Sequence, residues 1–66
     1  MLDIELNGAP HKLDGRSVHD LAEALGVAGQ MVALAVNRQV VPRAQWRAHL
    51  LNAHDKVDVV RAIGGG

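Results

Sequence analysis

The sequence contains no cysteine, no phenylalanine and no tyrosine, and Trp46 is its one aromatic residue. Without cysteine the chain has neither a disulfide framework nor a thiol nucleophile. An excess of positive charge is also missing, because seven Lys and Arg residues balance seven Asp and Glu residues. Nucleic acids and anionic membranes select basic surfaces, so we expect neither to be the main partner.

Long hydrophobic runs are absent as well, and no segment approaches the roughly 20 apolar residues that a membrane-spanning helix needs. Residues 1–6 alternate apolar and acidic side chains, which is unlike the basic start and apolar continuation of a signal peptide. We therefore expect a cytoplasmic protein. With 66 residues, 48% of them hydrophobic, the chain is long enough for one small domain around a single core.

The start of the chain predicts a β-hairpin. Residues 2–6 alternate apolar and polar side chains, as in a half-buried strand. Asn7 and Gly8 tolerate the positive φ of a type I′ turn, which we expect to lie well away from the C-terminal tail. The return strand, residues 9–13, contains Pro10, which lacks a backbone donor and places this strand near a sheet edge.

The next segment predicts a short helix. Ser17 is a good N-cap, and Asp20 stands three residues later, where a capping-box acid belongs. Gly26 lies where a left-handed residue ends a helix, and Val27 can make the accompanying apolar contact. Between these signals the apolar side chains follow helical spacing on one stripe, at Val18, Leu21, Ala22 and Leu25.

The second half predicts three more strands, at residues 31–36, 40–41 and 56–62, and an irregular segment between the last two. In that segment residues 44–51 favour a helical turn that carries Trp46 into the core, with Leu50 or Leu51 beside it. The whole order fits an α+β protein of the β-grasp type. We expect a mixed sheet of about five strands packed on one helix, with the first and last strands side by side in the middle.

The sequence ends in three glycines, Gly64, Gly65 and Gly66. Glycine has no side chain to pack and loses much entropy when ordered. We therefore expect a β-grasp domain over residues 1–63 and a flexible tail over residues 64–66. Fully extended, the tail reaches about 10 Å past the domain and can enter a channel that any Cβ would block. This predicts that the Gly66 carboxylate is the reactive group.

Three segments carry a resemblance to a known family. They are Ala-Val-Asn at residues 35–37, Val-Pro-Arg-x-x-Trp at residues 41–46, and the apolar residues 57–63 that lead into the glycines. Together they resemble the ThiS family, the ubiquitin-like sulfur carriers of thiamine thiazole synthesis, over essentially the whole chain. The family often has Gly-Asp where this chain has His54-Asp55, and Asn-Gly where it has Asn37-Arg38.

The resemblance implies a carrier and not an enzyme, with no catalytic residue and no bound cofactor. An E1-like adenylating enzyme of the ThiF type would consume ATP to join the Gly66 carboxylate to AMP. A persulfide sulfur donor would then displace AMP to leave a thiocarboxylate, and a thiazole synthase of the ThiG type would take the sulfur. Three other functions stay open: sulfur delivery to molybdopterin, a ubiquitin-like protein modifier, and a binding module with an incidental glycine tail.

Alternation along the central strands predicts a partner-binding patch beside the tail. If the larger side chains of residues 31–36 face the helix, the small ones form an exposed apolar surface with the last strand. The resemblance implies docking on this face. An alternative to a docking role stays open, in which these positions have small side chains only because they fit a crowded sheet. The candidate docking residues are Ala33, Ala35, Val60, Ala62 and Ile63.

The remaining chemistry-bearing residues predict no second site. The four histidines, His11, His19, His49 and His54, lack zinc-ligand spacing, so we interpret them as surface residues and expect no metal. Trp46 is interpreted as core and not as a partner anchor, because a tryptophan buries much area in a small domain. Two interpretations of the arginines stay open: a cluster near the tail that docks a partner, or an ordinary solvated surface. The residues are Arg38, Arg43, Arg47 and Arg61.

Overall fold

The computed structural model describes residues 1–61, which form one five-stranded mixed sheet packed on one helix. Within these residues no helix is long and apolar enough to cross a membrane. The sheet order is β2-β1-β5-β3-β4, the predicted β-grasp arrangement. The elements are β1 (Leu2–Leu6), β2 (Ala9–Leu13), helix α1 (Val18–Ala24), β3 (Val32–Val36), β4 (Gln39–Val41), a 3₁₀ turn (Arg43–Gln45) and β5 (Lys56–Arg61).

Strand β5 lies at the centre of the sheet and joins its two hairpins. It pairs antiparallel with β3 over five of its six described residues, from Val36↔Val57 to Val32↔Arg61. Its parallel pairing with β1 has only two register positions, Glu5↔Lys56 and Leu6↔Val57. The prediction that the first and last strands are central neighbours is confirmed.

Asn7 extends the short β1–β5 pairing beyond the end of β1. Its backbone N–H donates to the Val57 carbonyl, and its side-chain Oδ1 accepts from the Val59 N–H, both at 2.9 Å. The φ angles of Asn7 and Gly8 are 49° and 83°, as the predicted hairpin turn requires. Asn7 thus contacts β5 as far as Val59, and the expectation that this turn lies well away from the tail stays a prediction, because residues 64–66 lie outside the described residues.

The start of α1 is capped by its own residues and by the segment that follows the 3₁₀ turn. Ser17 Oγ accepts from the Asp20 N–H at 3.0 Å, and Asp20 Oδ2 accepts from the Ser17 N–H at 3.1 Å, so the predicted capping box is confirmed. The N–H groups of Val18 and His19 donate to the carbonyls of His49 and Trp46. The Leu21 N–H donates to the Ser17 carbonyl. Each of the four N–H groups of residues 18–21 therefore has an acceptor.

The end of α1 has the two crossed hydrogen bonds of a Schellman motif. The Val27 N–H donates to the Ala22 carbonyl at 2.9 Å, and the Gly26 N–H donates to the Glu23 carbonyl at 3.0 Å. Gly26 has φ 74°, which a residue with a Cβ adopts only at a cost. The predictions that Gly26 ends the helix in a left-handed conformation and that Val27 makes an apolar contact there are both confirmed.

The core is aliphatic apart from the indole of Trp46, which is 2% exposed. The indole Nε1–H donates to the Val41 carbonyl at 2.9 Å, so burying this polar group leaves no donor without a partner. Leu51 packs in the core, whereas Leu50 points outward. The core side chains are Ile4, Leu13, Val18, Leu21, Ala22, Val27, Leu34, Val36, Val41, Trp46, Leu51 and Val57.

The two positions at which the sequence departs from the family pattern keep a backbone that glycine adopts freely. Asn37 and Arg38 have φ 51° and 70°, and His54 has φ 69°. Side-chain bonds hold this region: Asn37 Nδ2 donates to Asp55 Oδ1 at 3.1 Å, and Asn37 Oδ1 accepts from the Lys56 N–H at 3.0 Å. Left-handed backbone at a residue with a long side chain costs free energy, and these bonds offset part of that cost.

We predict that Gly8→Val destabilises the domain by about 1–3 kcal/mol. Nothing lies within 4 Å of a Cβ added at Gly8, so the cost comes from its φ of 83° and not from a clash. Gly29→Val is the matched control, because a Cβ there is also unobstructed and its φ is not left-handed. Urea denaturation measures both variants, and equal midpoints for the two would contradict the prediction.

A second prediction concerns acid stability. Hydrogen bonds from the backbone of Ser17 and Arg16, and then from the Ser17 side chain, lower the pKa of Asp20 below its ordinary value of 3.8. A lowered pKa in the folded state stabilises the protein above pH 3.8, and this stabilisation is lost as the pH falls through the folded-state value. We therefore expect wild type to exceed Asp20→Asn in free energy of unfolding near neutral pH, with the gap narrowing in acid.

The control for this experiment is Asp58→Asn, because the Asp58 carboxylate is exposed and accepts no hydrogen bond from residues 1–61. Thermal or urea unfolding between neutral pH and pH 2 measures the three proteins. A gap between wild type and Asp20→Asn that stays constant over this range would show that the charge of Asp20 does not contribute.

Candidate functional site

Helix α1 covers one face of the sheet, and the face that it leaves open is divided into two halves of different character. The half on β1 and β2 is charged, and Lys12 Nζ lies 4.0 Å from Asp3 Oδ1 across the strand pair. Glu5 and Lys56 face the same side, as register neighbours of β1 and β5. Such exposed ion pairs contribute little stability and keep this half well solvated.

The half on β5, β3 and β4 carries the exposed Asp58 opposite Ala35 but is otherwise lined by apolar side chains, which we call the apolar patch. Cross-strand register places Ala33 opposite Val60 and Ala35 opposite Val40. Met31, Val40 and Val60 are 82%, 68% and 59% exposed, which is unusual for large apolar side chains that lie together. The patch consists of Met31, Ala33, Ala35, Val40 and Val60.

The predicted docking residues fall into two groups. Ala33 and Val60 are exposed register partners at the centre of the patch, and Ala35 beside them is half-buried. Val32, Leu34 and Val36 face the helix side, as the alternation predicted. The other members of the predicted site, Ala62, Ile63, Gly64, Gly65 and Gly66, lie outside the described residues. The boundary between residues 63 and 64 therefore stays a prediction.

Sequence reasoning missed Met31 and Val40 as members of the patch. Met31 was assigned to the third strand, but β3 begins at Val32 and Met31 belongs to the preceding loop. Alternation was nevertheless a usable signal, because Met31 has the same parity as Ala33 and Ala35. Alternation also accounts for the exposure of Val40, since its neighbour Val41 is buried in the core and successive side chains of a strand point to opposite faces.

A shallow hollow of about 410 Å³ lies where β5 reaches its last described residue. Its floor is apolar, and two arginines stand at its rim. This is the part of the patch nearest to residue 62, from which the chain continues to the glycines. The lining residues are Met31, Val32, Ala33, Val60, Arg43 and Arg61.

The four arginines do not form one cluster. Arg43 and Arg61 share the hollow, and Arg43 also lines a second depression beside His19 together with Arg47, which is not part of the hollow. Arg38 occupies the turn at the far end of β3. Arg43 is the most constrained, because its guanidinium lies 4.4 Å from the centroid of the Trp46 ring.

The four histidines do not form one cluster, but His11 and His54 line the same depression on the charged half of the sheet. His19 Nε2 lies 2.5 Å from Glu23 Oε1, one turn along the outer side of α1. His54 occupies the loop before β5, and His11 lies on the edge strand β2. Within residues 1–61, no group of three or more histidine or acidic side chains is placed to hold a metal ion.

Comparison with known proteins places this geometry in a family. The model of the ThiS family matches residues 4–66. The sulfur carrier protein ThiS of Escherichia coli (strain K12) is 40% identical over 52 residues, which cover 79% of each chain. The crystal structure of the thiamine biosynthesis protein ThiS from Geobacter metallireducens superposes with a TM-score of 0.83 at 30% identity, covering 98% of this chain and all of that one.

A third relative is a longer protein. The thiazole synthase of Magnetococcus marinus is 39% identical over 66 residues, which cover 98% of this chain but only 20% of the synthase. The family match extends through the sheet, the apolar patch and the terminal glycines, and the structural match confirms the β-grasp fold. On this evidence the chain belongs to the ThiS family.

Proposed function

We propose that this protein is a sulfur carrier of thiamine biosynthesis whose Gly66 carboxylate is adenylated and converted to a thiocarboxylate. The observation that supports this most is the reach of the family match, which continues through the last residue and so includes the glycines. The fold adds a second argument. Strand β5 runs from the sheet centre toward that end, with the apolar patch beside it.

The proposed chemistry needs little from the carrier itself. A carboxylate resists substitution because oxide is a poor leaving group, so an E1-like enzyme of the ThiF type first activates it. A Gly66 carboxylate oxygen attacks the α-phosphorus of ATP, pyrophosphate leaves, and an acyl adenylate forms. The terminal sulfur of a protein persulfide then attacks the acyl carbon and AMP leaves. A thiol reduces the resulting acyl disulfide and releases the thiocarboxylate.

Binding energy for these steps has to come from the domain, because the glycines have no side chains to offer. The apolar patch is suited to this role, since removing apolar area from water is favourable by roughly 25 cal/mol per Å² before the entropic and desolvation costs of association are subtracted. The charged half of the same face would lie at the rim, where solvated charges favour the correct orientation.

A thiazole synthase of the ThiG type is the proposed acceptor of the sulfur. The support is the Magnetococcus marinus relative, in which a segment similar to this chain belongs to a protein named thiazole synthase. A carrier segment within the same chain as its acceptor has a high effective concentration there. The named relatives favour thiamine over molybdopterin as the destination of the sulfur, and they favour a carrier over a protein modifier.

Deleting Gly65 and Gly66 should abolish adenylation and leave folding unchanged. Residues without a packing role shift stability by no more than roughly 0.5 kcal/mol, so the urea midpoint should stay the same. ATP–pyrophosphate exchange with the cognate adenylating enzyme should fall to background. A large loss of stability would assign the glycines a structural role instead. The intact mass of the carrier from its native host, with one sulfur in place of one oxygen, tests the thiocarboxylate directly.

Val60→Asp should weaken docking on the adenylating enzyme. The side chain is exposed at the centre of the apolar patch, so the free domain should stay folded. In the complex the introduced carboxylate would be buried without a partner, and we expect this to cost at least about 1.4 kcal/mol of binding free energy. Because 1.4 kcal/mol corresponds to a factor of ten, the apparent KM for the carrier should rise at least about tenfold. The KM for ATP should change little.

Leu50→Asp is the matched control, because Leu50 is 58% exposed against 59% for Val60 and lies outside the apolar patch. Its kinetics should match those of wild type. If both variants are folded and neither changes the exchange kinetics, the apolar patch has no part in docking. An unfolded Val60→Asp protein would contradict the exposed placement of Val60.

A further inference from the structure

The Val-Pro-Arg-x-x-Trp segment forms one structural unit around the indole of Trp46. The Trp46 Nε1–H donates to the Val41 carbonyl, which fixes the ring against the end of β4. Pro42 then ends the strand and precedes the 3₁₀ turn. Arg43 is the first residue of that turn and lies with its guanidinium over the buried ring, 4.4 Å from the centroid. The arginine is therefore held in one place on the surface.

From that position Arg43 holds the loop between α1 and β3. One guanidinium nitrogen donates to the Ala28 carbonyl and the other to the Gln30 carbonyl. The other hydrogen bonds of residues 28–31 within the described chain are local: Gln30 N–H to the Val27 carbonyl, Val32 N–H to the Gln30 carbonyl, and Gln30 Nε2 to the Gly26 carbonyl. Arg43 thus supplies the hydrogen bonds that fasten this loop to a distant part of the domain.

The loop held in this way carries Met31 to the edge of the hollow. Met31 is 82% exposed, and it lines the hollow together with Ala33, Val60 and Arg43. So exposed a side chain has little packing of its own to fix its position. The position of Met31 therefore depends on the backbone on either side of it, which is held by the pairing of Val32 with Arg61 and by the bond of Arg43 to the Gln30 carbonyl.

We propose that Arg43 is a positioning residue for docking: it fixes Met31 as one wall of the hollow, and the hollow receives an apolar side chain of the adenylating enzyme. This rests on the proposed function. The occupant follows from chain length, because the five residues 62–66 span at most about 18 Å. An enzyme that binds the Gly66 carboxylate must therefore approach the end of β5, where the hollow lies.

Arg43→Ala and Arg43→Lys test this role together. Lysine keeps the charge and most of the aliphatic stem, but it cannot donate to two carbonyls in the fixed fork of a guanidinium. We expect each variant to raise the apparent KM for the carrier about fivefold to tenfold, as for a residue that acts through a neighbour, with kcat unchanged. Arg47→Ala is the control, because Arg47 is exposed nearby but, unlike Arg43, does not line the hollow.

Amide hydrogen exchange measures the loop without any enzyme. Loss of the fork should speed exchange at Gln30 and Val32, whose N–H groups close the loop, in both Arg43 variants and not in Arg47→Ala. If Arg43→Lys matches wild type in exchange and in KM, the charge and not the fork is responsible, and the proposal is overturned. Urea denaturation confirms that the variants compared are folded.

A double-mutant cycle decides whether Arg43 acts through Met31. Met31→Ala alone should raise the apparent KM, and adding Arg43→Ala to it should raise the KM no further. Independent, multiplying effects would overturn the proposal. If the wild-type chain is not adenylated, the proposed function is contradicted, and this inference is contradicted with it. An adenylated wild type with an unchanged KM in Arg43→Ala would remove this inference alone.

Discussion

The central position of β5 is the constraint on which the rest of the domain depends. Among the described residues the β1–β2 hairpin and the β3–β4 hairpin do not pair with each other, and β5 joins them into one sheet. Its pairing with β1 covers two register positions, and hydrogen bonds of the backbone and side chain of Asn7 extend this pairing. The strand that leads to the reactive carboxylate proposed for Gly66 is therefore also the strand that completes the fold.

This arrangement explains why the functional surface lies where it does. A central strand has neighbours on both sides, so its outer side chains can form part of a broad surface. Val60 is flanked on the β3 side by Ala33, and the small alanine leaves the hollow that Met31 borders. Asp3, Glu5 and Lys12 lie on the β1–β2 half, away from this hollow, whereas Arg43 and Arg61 stand at its rim. The proposed docking surface and the path to the glycines thus meet at one end of β5.

Local sequence signals were sufficient for most of the fold. Alternation, the Asn7-Gly8 turn, the capping box at Ser17 and Gly26 each depend on residues within a few positions, and the structure has all of them. The site was less accessible. The bonds of Asn7 to β5 and of Arg43 to the carbonyls of residues 28 and 30 join segments distant in sequence. No periodicity encodes such contacts, so the sequence did not predict the hydrogen bonds by which Arg43 holds the loop before β3.

The left-handed backbone at Arg38 and His54 separates stability from function in space. Both residues lie at the end of β3 and β5 opposite to the hollow, and β3 alone is five residues long, or about 17 Å. Glycine at either position would relieve backbone strain without touching the hollow proposed to receive the enzyme. The domain can therefore gain or lose stability through changes at one end while the hollow at the other end stays the same, so that the two properties can evolve separately.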